Sequence, residues 1–152
     1  MLSPASRPCN PAGPTGKARY YIGVETMTKV LFVAGGGALG AVARYLINIS
    51  PLSRVFEHFP FPTFFINVAG SFLIGFLLIF LTDKVQVSDN VRMMVIVGFL
   101  GAFTTFSTFE MEIYGLITDK RSALAGVYML LSVAAGFAAL IAGVGLARRL
   151  PG

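Results

Sequence analysis

The sequence predicts an all-α membrane protein of four transmembrane helices. Hydrophobic residues make up 55% of the 152-residue chain and charged residues only 12%, against roughly 25% charged in a typical soluble domain. Mean hydropathy is +0.76. Apolar runs recur four times, each long enough for the ~20 residues that a helix needs to cross a hydrocarbon core of about 30 Å. A soluble protein of this size has too much surface to cover with so few charges.

Residues 1–26 come first, MLSPASRPCNPAGPTGKARYYIGVET. They are rich in proline, glycine and serine and have no apolar core. They lack the hydrophobic region of a signal peptide and read as a disordered extension. Met27 stands just before the apolar part. Translation is expected to start there, leaving residues 27–152 as the transmembrane domain.

The first span runs from about Val30 to Ile49 and contains VLFVAGGGALGAVARYL. Gly35-x-Gly37-x-x-Gly40 matches the dinucleotide-binding fingerprint. A Rossmann reading needs strands alternating with amphipathic helices, and the ten residues after this run, AVARYLINIS, carry one charge. The only acid near the required distance, Glu57, falls in a loop. In a membrane segment, glycines three and four apart serve helix packing instead. The second span runs from about Phe59 to Leu81, the third from Val91 to Ile117, and the fourth from Ala123 to Ala147. Turn-forming and charged residues separate them: SPLSRVFEHFPFP, TDKVQVSDN and TDKRS.

Several functions fall away at this stage. The net charge is +5, but the twelve basic residues form no stripe, so they read as span-end anchors and not as a nucleic-acid surface. Cys9 and His58 are the sole cysteine and histidine, which rules out an intrachain disulfide and a zinc site of the usual kind within one chain. His58 reads as a polar loop residue. No nucleophile, base and orienting group come together, so the chain does not read as an enzyme.

Polar residues inside spans are costly and face the bundle or a water path. Here they fall at helical spacing. Gly37, Gly40, Ala41, Arg44 and Asn48 share a face of the first helix. Thr63, Asn67, Gly70 and Ser71 share one of the second, and Ala125, Tyr128, Ser132, Ala135, Gly136 and Gly143 one of the fourth. Helix packing accounts for most of the small residues. For Arg44 and Asn67 it competes with a second reading, the lining of a permeation path.

The third span differs. In GFLGAFTTFSTFEMEIYG the hydroxyl residues Thr104, Thr105, Ser107 and Thr108 interleave with Phe103, Phe106 and Phe109, and Glu110 and Glu112 follow. Hydroxyls bond backbone carbonyls locally and loosen a helix. Non-helical backbone at membrane depth survives where protein buries it or it lines a cavity. A break near the centre of this helix is therefore expected, with carbonyls released for a cation or water. Hydroxyl and amide donors, with the positive ring edges of Phe106 and Phe109, suit a small, strongly hydrated anion.

GFLGAFTTFSTF closely resembles the signature of the Fluc (CrcB) fluoride channels. The resemblance extends from about residue 28 to 148 and includes GGALGAVARY and PTFFINVAGSFLIG. It implies an antiparallel, dual-topology homodimer in the bacterial or archaeal inner membrane. Such a dimer has two pores that release fluoride from the cytoplasm down its gradient and so confer fluoride resistance. It implies that Asn67, Phe106, Phe109, Ser107, Thr108, Tyr128 and Ser132 line the fluoride pore, and that Arg44 lies in the aqueous vestibule. It also implies that backbone carbonyls of Gly101 and Thr104 hold a structural sodium ion at the dimer axis. Glu112 fits the pattern. Glu110 departs from it, since a small residue is expected there.

Charge counting gives an independent view of topology. From Met27 onward, one side of the membrane holds Lys29, Lys84, Arg92, Arg148 and Arg149. The other holds Arg44, Arg54, Lys120 and Arg121. That is almost no positive-inside bias, as dual insertion requires. Arg7, Lys17 and Arg19 would change the count to eight against four and favour one orientation. The alternative reading, a small dual-topology proton-coupled multidrug exporter, needs a buried acid on the first helix, and the span from Val30 to Ile49 has none.

Overall fold

The computed structural model describes residues 16–54 and 58–151, excepting the side chains of residues 16–22, 53 and 54. Among them, four helices are long and apolar enough to cross a membrane, spanning Gly23–Ile49, Phe61–Lys84, Asp89–Thr118 and Ser122–Arg149. The last three lie within a few residues of their expected positions; the first ends at Ile49 as expected but begins well before Val30. Helix α1 covers Gly16–Ile49. A short 3-10 turn, Pro51–Arg54, leads towards α2, Phe61–Ile79, which ends in a π-helical turn at Phe80–Lys84. The third span is built in pieces: α3, Asp89–Met93; a π-helical stretch, Met94–Leu100; α4, Gly101–Phe103; and, after a break, α5, Ser107–Thr118. The last span is α6, Ser122–Arg149.

Helix α1 starts well before its apolar run. Residues 16–26 of the expected extension continue the helix, and the rest of that extension, Cys9 included, lies outside the described residues, as does Glu57. The longer helix brings in Glu25. This acid is exposed and paired with Lys29 at 2.7 Å, near one end of the span.

Local chemistry explains the ends. The Ser88 hydroxyl accepts the Val91 N–H at 3.4 Å and caps α3. Between α5 and α6, the Arg121 N–H reaches the Leu116 carbonyl at 2.8 Å and the Lys120 N–H reaches Ile117 at 3.0 Å. Lys120 has φ 60. This is the Schellman arrangement, in which the residue after the cap turns left-handed. It reverses the chain within three residues.

Glycines set the packing, and of the fingerprint's three only Gly40 is closely packed. A Cβ on Gly36 would strike the Met94 carbonyl, and one on Gly40 the Phe99 carbonyl, whereas Gly35 has nothing within 4 Å and Gly37 has only the Gly98 carbonyl at 3.8 Å. The pair that matters is thus four apart, the spacing of a close helix crossing, and it seats α1 on the π-helical stretch. The α2–α6 contact works the same way: Gly75 lies under the Leu140 carbonyl and Gly143 under that of Phe72. Gly143→Val is expected to destabilise the protein by at least about 1–3 kcal/mol through overpacking. Gly145→Val, whose Cβ meets nothing within 4 Å, should melt in detergent like the parent. Equal melting of the two variants would contradict this packing.

The α6 stripe is buried as the sequence predicts, at Ala125, Tyr128, Ser132, Gly136 and Gly143. Its partner is α2, so both polar stripes point inward towards the broken span.

Candidate functional site

The site is built around the break. Helix geometry ends at Phe103 and resumes at Ser107, with Thr104 extended at φ −75, ψ 156. Its own hydroxyl bonds back to the Leu100 carbonyl at 2.9 Å, the competition expected of a hydroxyl in a helix. Thr105 then takes over as the cap of α5. Its Oγ1 accepts the Thr108 N–H at 3.3 Å and lies 2.9 Å from the Thr108 hydroxyl.

Asn67 of α2 holds this break. Its Nδ2 donates to the Thr105 carbonyl at 3.0 Å, and its Oδ1 accepts the Thr105 N–H at 2.9 Å. The side chain thus replaces a strand-like partner for one residue of irregular backbone, as a buried peptide group requires. In a continuous helix the N–H groups of Thr105 and Thr108 would close on the carbonyls of Gly101 and Thr104. Both now bond elsewhere. A Cβ on Gly101 would meet nothing within 4 Å, so the backbone is not packed over on that side. The donor set therefore fits a hard cation bound by oxygen.

The expected residues divide into three neighbouring groups. Asn67, Gly101, Thr104 and Phe106 line a cavity of about 340 Å³ together with Gly70 and Ser71. Arg44, Asn48 and Thr108 line a second, of about 260 Å³, with Ala41 and Tyr45. Phe109 and Tyr128 belong to a buried cluster. Their rings meet edge to face at 5.0 Å, and Phe59 stands against Tyr128 at 5.2 Å. The two phenylalanines of the motif lie 6.1 Å apart, tilted by 44°, yet their surroundings are opposite: Phe109 is 7% exposed and Phe106 71%. Ser107 is exposed beside Phe106. Ser132 is buried one turn along α6 from Tyr128, and its Oγ has no hydrogen-bond partner.

Glu112, not among the expected pore residues, anchors a further network. Glu112 accepts hydrogen bonds from Thr63 Oγ1 on α2 and from the Tyr128 hydroxyl on α6, both at 2.7 Å. A carboxylate between two hydroxyl donors is a charge-assisted node, and it ties three spans together just beyond the break. The signal was present in the sequence: Thr63 and Tyr128 lie on inward polar stripes, and Glu112 is the acid at helical spacing from Phe109 that could meet both.

Fold and site together define a small multi-pass membrane protein whose third span is interrupted at membrane depth and clamped by a side-chain amide. A model of the family described as CrcB-like protein, Camphor Resistance (CrcB), matches residues 31–144, and the chain belongs to that family. A Roseiflexus protein named fluoride-specific ion channel FluC is 41% identical over 122 residues, covering 80% of this chain and 98% of that one. One of the same name from Rhizobium meliloti is 40% identical over 124 residues, covering 82% and 99%. Fluoride-specific ion channel FluC 1 of Nitrobacter hamburgensis is 43% identical over 123 residues, covering 81% and 98%.

Proposed function

We propose that the chain is a fluoride-specific ion channel. It releases fluoride from the cytoplasm through the inner membrane, down its electrochemical gradient, and so protects the cell. The observation that carries this reading is the Asn67-clamped break, which places the exposed Phe106 ring at a cavity that Asn67, Ser71, Thr104 and Thr105 also line, in the middle of a span. Family membership and the names of the relatives support it.

Fluoride is small and strongly hydrated, so a path must offer replacement donors. Ser132 Oγ is buried with no hydrogen-bond partner among the described residues and can donate to an ion. Ser107 and Thr108 add hydroxyls, and the edges of Phe106 and Phe109 add partial positive charge. The Asn67 amide and the Tyr128 hydroxyl are already bonded to protein. Their part is to hold the break and Glu112 in place, and to exchange those bonds for an ion as it passes. Several weak sites in series let the ion leave as readily as it enters. Arg44, half-buried in its own cavity, draws anions to the mouth.

A single protomer leaves this site open. The large exposure of Phe106 and the unobstructed Gly101 support a homodimer in which a second copy covers that face. The near-balanced charges from Met27 onward support antiparallel, dual-topology insertion by a chain that starts there. Carbonyls of Gly101 and Thr104 would hold a structural sodium ion between the copies; when bound, it supplies a fixed positive charge and locks the carbonyls in place. The reading is tested in cells that lack their own fluoride exit route. Expression of the chain is expected to restore growth in fluoride, and no protection from a membrane-inserted chain would contradict it.

A further inference from the structure

Helices α2 and α6 carry their polar stripes in register. Thr63, Asn67 and Ser71 recur one turn apart on α2, and Tyr128, Ser132 and Gly136 do so on α6. The first pair meets through Glu112. At the third, a Cβ on Gly136 would lie 3.4 Å from the Ser71 hydroxyl oxygen. Gly75 under the Leu140 carbonyl continues the same offset, so the two helices run in the same direction and Asn67 and Ser132 share the level between.

On α6 the hydroxyls of this stripe end at Ser132, and at the next turn Gly136 has none. Ser71 supplies one to that level from the facing helix. Among the described residues its hydroxyl makes no hydrogen bond, not even the bond to the preceding turn that Thr104 makes to Leu100. One turn away, Ser132 is 9% exposed and its Oγ is equally unpartnered. Polar groups inside a span are costly and mark ion paths, and here two idle donors stand at successive levels of one seam.

Ser71 also lines the cavity at the break, with Asn67, Thr104 and Phe106. Its oxygen lies between α2 and α6 of one protomer, so its place does not depend on what a second copy sets over Phe106. We propose that Ser71 is a further fluoride-binding residue. Its hydroxyl donates to the ion one turn beyond Asn67 and Ser132, and Gly136 keeps the space beside it open. The inference rests on the fluoride-channel reading and extends the path by one level.

The test is initial fluoride efflux from liposomes, read by electrode, for the parent chain, Ser71→Ala and the double variant Ser71→Ala/Gly136→Ser, with a thermal melt of each in detergent. Ser71→Ala removes one oxygen. It should slow efflux by about fivefold or more, since a hydrogen bond to a charged group is among the strong ones. It should melt like the parent, because the hydroxyl has no protein partner to lose. Gly136→Ser returns a hydroxyl to the same level from α6, so the double variant should recover most of the parent rate. Parental flux in Ser71→Ala would overturn the assignment while leaving the channel intact. So would a slow Ser71→Ala variant that also melts lower, or one whose rate the folded double variant does not raise, since both are signs of a packing role. No fluoride release from the parent would overturn the channel reading, and this role with it.

Discussion

Asn67→Asp is expected to abolish fluoride passage, or to reduce it at least about a hundredfold, while the protein still folds and elutes like its parent and melts only a few degrees lower. The substitution keeps the oxygen that accepts the Thr105 N–H, so half of the clamp survives. It removes the Nδ2 donor from the Thr105 carbonyl and sets a carboxylate oxygen against it. An unsatisfied buried acceptor costs about 1–3 kcal/mol, and a fixed negative charge beside an anion's path adds to that. A barrier raised by about 3 kcal/mol slows passage roughly a hundredfold. Efflux from liposomes and a thermal melt in detergent check the two halves. Normal flux through the Asp variant would remove Asn67 from the site.

Phe106→Ile carries the second large effect. Isoleucine keeps the bulk and the apolar character but has no ring edge to offer an anion. Flux should fall by about tenfold or more, with little change in stability, because the Phe106 ring is 71% exposed in the protomer. The contrast with Phe109 is useful. That ring is 7% exposed and packs edge to face on Tyr128 at 5.0 Å, so truncating it loosens the core, and flux and stability fall together. An unaltered rate in the Phe106 variant would mean that ring edges do not meet the ion.

Much of this arrangement is legible in the sequence because lipid makes polarity informative. The four spans follow from length and hydropathy. The break follows from four hydroxyls within five positions, and the α6 stripe from helical spacing. The glycine contacts were legible in kind, though the pair at closest approach is Gly36 and Gly40 and not the fingerprint's Gly35 and Gly37. What stayed hidden depends on which stripes meet. Periodicity puts Thr63 and Tyr128 on polar stripes, but does not show that one carboxylate, Glu112, accepts from both hydroxyls. It offers Asn67 as a polar residue in a span without showing that both ends of its amide engage the same peptide. The π-helical stretch between Met94 and Leu100, which packs against Gly36 and Gly40, leaves no mark in composition. Nor does the early start of α1 at Gly16, where no apolar pattern marks the helix.

Selective, passive fluoride movement can be observed directly. Purified protein is reconstituted in liposomes loaded with fluoride or with chloride, and release of each anion is followed by electrode after the membrane potential is clamped. Rapid fluoride release with little chloride release, and no requirement for a proton gradient, is the expected result. Equal release of both anions, or no fluoride release from well-folded protein, would contradict it.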